Sequence, residues 1–180
     1  MKEIELRFKI DDANEILDKL ENSEFEFLLE TFQKDEYFKH KGLEKEEEKK
    51  GAYIYRMRHD SVKGISAVKK LTFEPGVWEE FEVNVEGKNA EFIQMLLKDS
   101  MSSILTIDKS RKSFQKDDFS INVDVIKGLG EFIEVELLAE DNTEKEIKRI
   151  EALMISLGID KSKIIKDGYV TLVKKEKGLL

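Results

Sequence analysis

The stretch Val123-Asp124-Val125-Ile126-Lys127-Gly128-Leu129-Gly130-Glu131-Phe132-Ile133-Glu134-Val135-Glu136 decides the fold. Two runs rich in β-branched and apolar residues flank Lys127-Gly128-Leu129-Gly130, whose glycines suit a turn. The stretch therefore reads as an antiparallel hairpin, with strands over 119–126 and 131–138. In its second arm Glu134 and Glu136 share a face, because side chains alternate along a strand. Working outward, Glu3 to Ile10 shows the same period of two. Ile4, Leu6, Phe8 and Ile10 share one face, and Glu3, Glu5, Arg7 and Lys9 share the other. Further strand signals fall at 34–41, 52–59, 65–73, 77–85 and 105–114, with turn residues such as Asp60-Ser61-Val62-Lys63-Gly64 and Glu74-Pro75-Gly76 between them. Helical spacing is confined to inserts. Asp11-Asp12 precedes Ile16, Leu17 and Leu20; residues 89–98 carry Phe92, Ile93, Leu96 and Leu97. Asn142 or Thr143 precedes Ile147, Ile150, Leu153, Met154 and Leu157, and Gly158 ends that run. The reading is α+β: about eight strands, joined mainly as antiparallel hairpins, in one domain over 1–175 with a short tail at 176–180.

Composition excludes several classes. Lys and Arg number 31 against 39 Asp and Glu, a formal charge of −8, which argues against general affinity for nucleic acid polymers or anionic membranes. No apolar run reaches the ~18 residues of a membrane span. The opening residues pass straight into strand-like sequence, and a cytoplasmic location is expected. With no Cys and two His, disulfides, thiolate chemistry and multi-histidine zinc sites drop out. The run Glu44-Lys45-Glu46-Glu47-Glu48-Lys49-Lys50, bracketed by Gly42 and Gly51, reads as a mobile, solvated loop.

The charges within the strands are sorted by sign. Arg56 and Arg58 share a face, as do Glu80 and Glu82, Lys109 and Arg111, and Glu134 and Glu136; Lys69 and Asp124 lie inside further strand-like runs. One wet sheet face alternates polar with apolar residues in any case, but like charges crowd unfavourably across a sheet. Carboxylates without His or Cys suit a hard cation such as Mg²⁺ or Mn²⁺, and Arg suits phosphate oxygens. Seven acids (Glu3, Glu5, Glu80, Glu82, Asp124, Glu134, Glu136) stand against seven bases (Arg7, Lys9, Arg56, Arg58, Lys69, Lys109, Arg111). A triphosphate of roughly −4 with two divalent cations of about +4 would leave such a site near neutral. Eight strands also allow closure into a β-barrel just wide enough for one small ligand.

These motifs, in this order, resemble the CYTH superfamily, the triphosphate tunnel metalloenzymes, and within it the class IV adenylate cyclases. Glu3-Ile4-Glu5-Leu6-Arg7 resembles the family's Glu-x-Glu-x-Lys. Gln33-Lys34-Asp35-Glu36-Tyr37-Phe38 is similar to the Gln-x-Asp-x-Tyr-Phe of that branch, and Tyr55-Arg56-Met57-Arg58 to its Leu-Arg-Ile-Arg. Ser66-Ala67-Val68-Lys69 stands where Leu-Thr-x-Lys is usual. Glu80-Phe81-Glu82, Lys109-Ser110-Arg111, the 123–136 run and Gly168-Tyr169 follow in family order. Three departures stand out: Arg7 for Lys, Trp78 for an Arg before Glu-x-Glu, and Lys70-Leu71 for Gly-Pro.

The resemblance implies an eight-stranded antiparallel barrel, a tunnel with charged walls and helices packed outside. It implies Mg²⁺ or Mn²⁺ and a triphosphate substrate, ATP or another, with Glu3, Glu5, Glu134 and Glu136 as the catalytic metal-side carboxylates, assisted by Asp124, Glu80 and Glu82. Arg7, Lys9, Arg56, Arg58, Lys69, Lys109 and Arg111 fall on the phosphate side. The expected activity is conversion of ATP to cyclic AMP and pyrophosphate; the alternatives are hydrolysis of inorganic, thiamine or nucleoside triphosphate, and a non-catalytic polyphosphate-binding module. A homodimer is an expectation of the resemblance alone. His59 reads as a strand-end surface residue, and Trp78 and Tyr169 as packing residues.

Overall fold

The computed structural model describes residues 2–46, 49–74, 77–139 and 143–179. Its elements are β1 (Lys2–Ile10), α1 (Ala13–Glu21), β2 (Glu26–His40), β3 (Tyr53–Asp60), β4 (Gly64–Glu74), β5 (Val77–Val85), α2 (Gly87–Ser100), β6 (Met101–Lys116), β7 (Phe119–Ile126), β8 (Gly130–Ala139), α3 (Thr143–Ser156), a 3-10 turn (Lys161–Lys163), β9 (Ile164–Ile165) and α4 (Tyr169–Glu176). Hydrogen bonds join the strands in the order β5-β4-β3-β2-β6-β7-β8-β1-β9. This is an α+β fold on a large antiparallel sheet. Among the described residues the ladders leave β5 and β9 at the ends of that order, so the sheet is not itself closed into the expected barrel. Strands β2 and β6 begin earlier than their alternation predicts. The helix α4, just before the tail expected at 176–180, is an element that the spacing does not predict. Among the described residues no helix is long and apolar enough to cross a membrane.

The chain packs as two compact units, Met1–Glu30 with Ser110–Lys166 and Thr31–Lys109 with Asp167–Leu180. In the first, β1 pairs with β8, and β8 with β7. Residues opposite one another in an antiparallel ladder share a face. Thus Ile4, Phe8 and Ile10 lie with Ile121, Val123, Ile133, Val135 and Leu137 in one apolar layer. α1 and α3 cover it with Ile16, Leu20, Ile150 and Met154. Each such side chain contributes about 1.5–3 kcal/mol when fully buried. The Asp12 carboxylate caps α1 by accepting from Asn14 N at 2.9 Å. Gly158, at φ +82°, ends α3 where a side chain would be strained. With the apolar face covered, the opposite face of β1, β7 and β8 is left for the charges.

In the second unit, β2, β3, β4 and β5 form consecutive antiparallel ladders. One face carries Phe38 and Met57, both buried, and the rings of His40, Tyr53 and Tyr55 in edge contacts. The other carries Asp35 and Tyr37 opposite Arg58 and Arg56. Loop 41–52 is more anchored than a solvated run predicts: Ser102 Oγ donates to Glu44 Oε1 at 2.6 Å and Lys39 Nζ to Glu46 Oε2 at 2.7 Å. Glu47 and Glu48, and the Pro75-Gly76 turn and Asn142 cap, lie outside the described residues.

Candidate functional site

The charged face of the first unit follows from the β1/β8 register. Glu5 lies opposite Glu136, and Arg7 opposite Glu134. Arg7 Nε donates to Glu134 Oε1 at 2.7 Å and Arg7 Nη2 to Glu5 Oε1 at 2.5 Å. Arg111 clamps Asp124 with two bonds, Nε to Oδ1 at 2.7 Å and Nη2 to Oδ2 at 2.6 Å, and also reaches Glu134 Oε2. Asn122 Nδ2 donates to Glu136 Oε1 at 3.2 Å and is itself fixed by Ser113. Asp124 is fully buried and Glu134 is 3% exposed. Charges this deep persist because they are paired.

Glu5, Glu134 and Glu136 each bring a carboxylate oxygen within 4.8 Å of the other two. The expected catalytic residues Glu5, Glu134 and Glu136 are thus brought together. Glu3 holds the strand position opposite Leu138, and its side chain lies outside the described residues. Arg7 and Arg111 thus tie Glu5, Asp124 and Glu134 into one network, with Glu136 beside it. The all-oxygen donors of the carboxylate trio fit a hard divalent cation. Lys9 is placed elsewhere. Its Nζ donates to Leu129 O at 2.8 Å and sits over the Phe132 ring. It fills the space that a Cβ at Gly130 would need, so it supports the β7–β8 turn.

The second unit gathers the other group. Arg58 holds Asp35 with two bonds of 2.7 Å. Burial would raise the Asp35 carboxyl's pKa, but the Arg58 hydrogen bond and charge, with Arg56 and Lys109, hold it below the usual carboxylate range. Burial likewise works against the Arg56 charge, yet Tyr37, Asp35 and Glu80 hold its pKa above the usual value. Burial first, then the Asp35 charge, pushes the Tyr37 phenol up. Arg56 Nη2 is 3.6 Å from Glu80 Oε2, and Arg56 Nε is buried without a hydrogen-bond partner among the described residues. Such a donor is costly unless an acceptor arrives.

Register separates the two lysines of β4. Lys70 lies opposite Glu80, and Val68 opposite both Arg56 and Glu82, so Lys70 shares the face of the two arginines. Lys70 Nζ is 3.1 Å from Glu80 Oε1. Lys69 lies opposite Tyr55 and Phe81 on the other face, exposed, with its Nζ 5.7 Å from the Tyr53 ring centroid. The expected Lys69 is therefore not brought together with Arg56 and Arg58; Lys70 is. Glu80 and Glu82 are engaged within this unit, Glu82 by Ser66 at 2.5 Å. Burial would raise Glu80, but Lys70 and Arg56 hold it low. Lys109 is buried with its Nζ 5.3 Å from the Tyr169 ring centroid. His59 is exposed, as expected; the Trp78 side chain lies outside the described residues. Sequence reasoning passed over Asp35, Tyr37, Lys39 and Lys70. The alternation Gln33, Asp35, Tyr37, Lys39 marks the first three as neighbours on one face.

Comparison with known proteins agrees with this fold. The CYTH domain model matches residues 1–169. A Methanocaldococcus jannaschii protein named as a candidate adenylate cyclase is 27% identical over 184 residues, covering 96% of this chain and 98% of its own. The structure is similar to that of a Vibrio parahaemolyticus candidate adenylate cyclase, with a TM-score of 0.81, 18% identity and coverage of 97% and 98% of the two chains. It is also similar to a Hippeastrum adenylyl cyclase candidate described as having a dominant triphosphatase activity, with a TM-score of 0.66, 15% identity and coverage of 99% and 96%. With the family model spanning nearly all of its length, this chain belongs to the CYTH domain family.

Proposed function

We propose that this protein is a metal-dependent enzyme acting on a triphosphate, ATP foremost, as a class IV-type adenylate cyclase. The observation that carries the reading is the carboxylate trio Glu5, Glu134 and Glu136, whose oxygens lie within 4.8 Å of one another. These residues would hold Mg²⁺ or Mn²⁺, which supplies neutralisation of phosphoryl charge and a lowered hydroxyl pKa. Arg7 and Arg111 orient Glu134 and Asp124. In the second unit, Arg56, Arg58 and Lys70 would bind polyphosphate oxygens, the unused Arg56 Nε among the donors. In cyclisation a bond forms between the ribose 3′-oxygen and the α-phosphorus. The α,β-anhydride bond breaks, pyrophosphate leaves with the electron pair, and the hydroxyl proton passes to solvent. The basic groups hold the leaving pyrophosphate in line and offset its growing charge.

A second reading, hydrolysis of a triphosphate by water, draws support from the activity described for the Hippeastrum neighbour. A product assay separates them. ATP and inorganic triphosphate are each incubated with Mg²⁺ or Mn²⁺ and followed by ³¹P NMR. Cyclic AMP with pyrophosphate supports the cyclase, orthophosphate supports the triphosphatase, and no turnover of either substrate by folded protein contradicts both.

A further inference from the structure

Lys39 follows Asp35 and Tyr37 on the charged face of β2 and is 5% exposed; Lys174, on α4, is 6% exposed. Lys39 Nζ donates to Glu46 Oε2 at 2.7 Å, and Lys174 Nζ donates to Glu44 O at 2.8 Å. Among the described residues Lys174 has no carboxylate partner. Burial, then the neighbouring Lys39 charge, holds the Lys174 ammonium below the usual lysine range. Of these two buried ammonium groups, Lys39 is paired with a carboxylate and Lys174 is held by a carbonyl. Lys174 is no free surface side chain, because Tyr169 and Val173 on the same helix are buried too. Burying a charge against a carbonyl alone is unfavourable, and an incoming anion would offset that cost.

We propose that Lys39 and Lys174 form an anion subsite for the outermost phosphate of a polyphosphate chain, with Glu46 holding Lys39 until that phosphate arrives. The proposal rests on reading the Arg56 face as the phosphate side. Lys39 lies on that face, one step beyond Tyr37, which stands opposite Arg56. The α4 helix then has a task that no strand residue performs: it brings a cation to the distal end of the ligand. Glu46 is the group to be displaced, its carboxyl held low first by the Lys39 hydrogen bond.

The test is calorimetric titration of the full chain with inorganic tripolyphosphate at fixed Mg²⁺. K174M should weaken binding roughly tenfold or more, as expected for a charged hydrogen bond. K174R should keep most of the affinity, and E46Q should raise it by removing the competitor. Without ligand, K174M should melt at or above the wild-type temperature, whereas a purely structural lysine would show a lower melting temperature with affinity intact. Wild-type binding together with K174M and E46Q affinities within about twofold of it, under 0.5 kcal/mol, would overturn the subsite and leave the proposed function standing. Should K174M fail to fold, the E46Q affinity alone decides. Absence of tripolyphosphate binding by the wild type would overturn both.

Discussion

Glu134 and Glu136 look equivalent in a Glu-x-Glu pair, but their surroundings differ. Glu134 accepts bonds from the charged Arg7 and Arg111, and Glu136 accepts from the neutral amide of Asn122. Neutralising Glu134 leaves the buried Arg7 and the half-buried Arg111 short of charge, a change that costs about 3–5 kcal/mol when a fully buried pair is broken. Glu136→Gln should therefore abolish Mg²⁺-dependent turnover at near wild-type melting temperature, while Glu134→Gln should lose turnover and melt lower. Full activity of E136Q at saturating metal would remove Glu136 from the metal site. Asp60 offers a purely structural contrast. Burial would raise its carboxyl, but bonds from Lys63 N, Thr31, Gln33 and Val62 N hold it at about 2. A folded value below the unfolded one of ~3.9 stabilises the fold above that pH and is lost as pH falls through the folded value. Asp60→Asn should accordingly destabilise the protein at pH 7, and the gap to wild type in urea unfolding should shrink between about pH 4 and pH 2. A gap that stays constant would place the Asn effect outside ionisation.

At the scale of the element, register decides which charges can cooperate. Val68-Lys69-Lys70 puts a lysine on each phase of the alternation, so period-two reading cannot choose between them. Pairing with β3 and β5 does: Lys70 faces Glu80, and Lys69 faces Tyr55. Lys70→Ala should weaken tripolyphosphate binding by about 1.5–3 kcal/mol, and Lys69→Ala should leave it within error, by calorimetry. The reverse result would mean that the β3–β4–β5 register is shifted by one residue, exchanging the two faces. Strands β1 and β8 posed no such problem. Their acids and apolar residues alternate without ambiguity, and Glu5 and Glu136 meet as the alternation implies. Lys9 keeps the right phase but bonds the β7–β8 turn, which no spacing within β1 could reveal. Nor could alternation reach Lys174, on a helix whose partners, Lys39 and Glu44, are more than a hundred residues away in sequence.

For the whole molecule, the antiparallel hairpins, the helices as inserts and the sorting of charge by sign were legible, because each rests on local periodicity. The ends of the strand order and the division into two packed units depend on long-range pairing and were not. The central claim is that the sorted charges serve a metal and a triphosphate rather than a wet sheet face. Metal relieves the crowded carboxylates and triphosphate relieves the crowded bases, so their binding free energies should couple. The most direct measurement is the melting temperature of the wild-type chain with Mg²⁺, with tripolyphosphate, and with both, at matched free concentrations. A ligand at about 100 times its dissociation constant adds roughly 2.7 kcal/mol of stability, and the joint effect should exceed the sum of the separate ones. Strictly additive stabilisation, or no shift with either, would contradict the claim and leave the strand charges facing solvent.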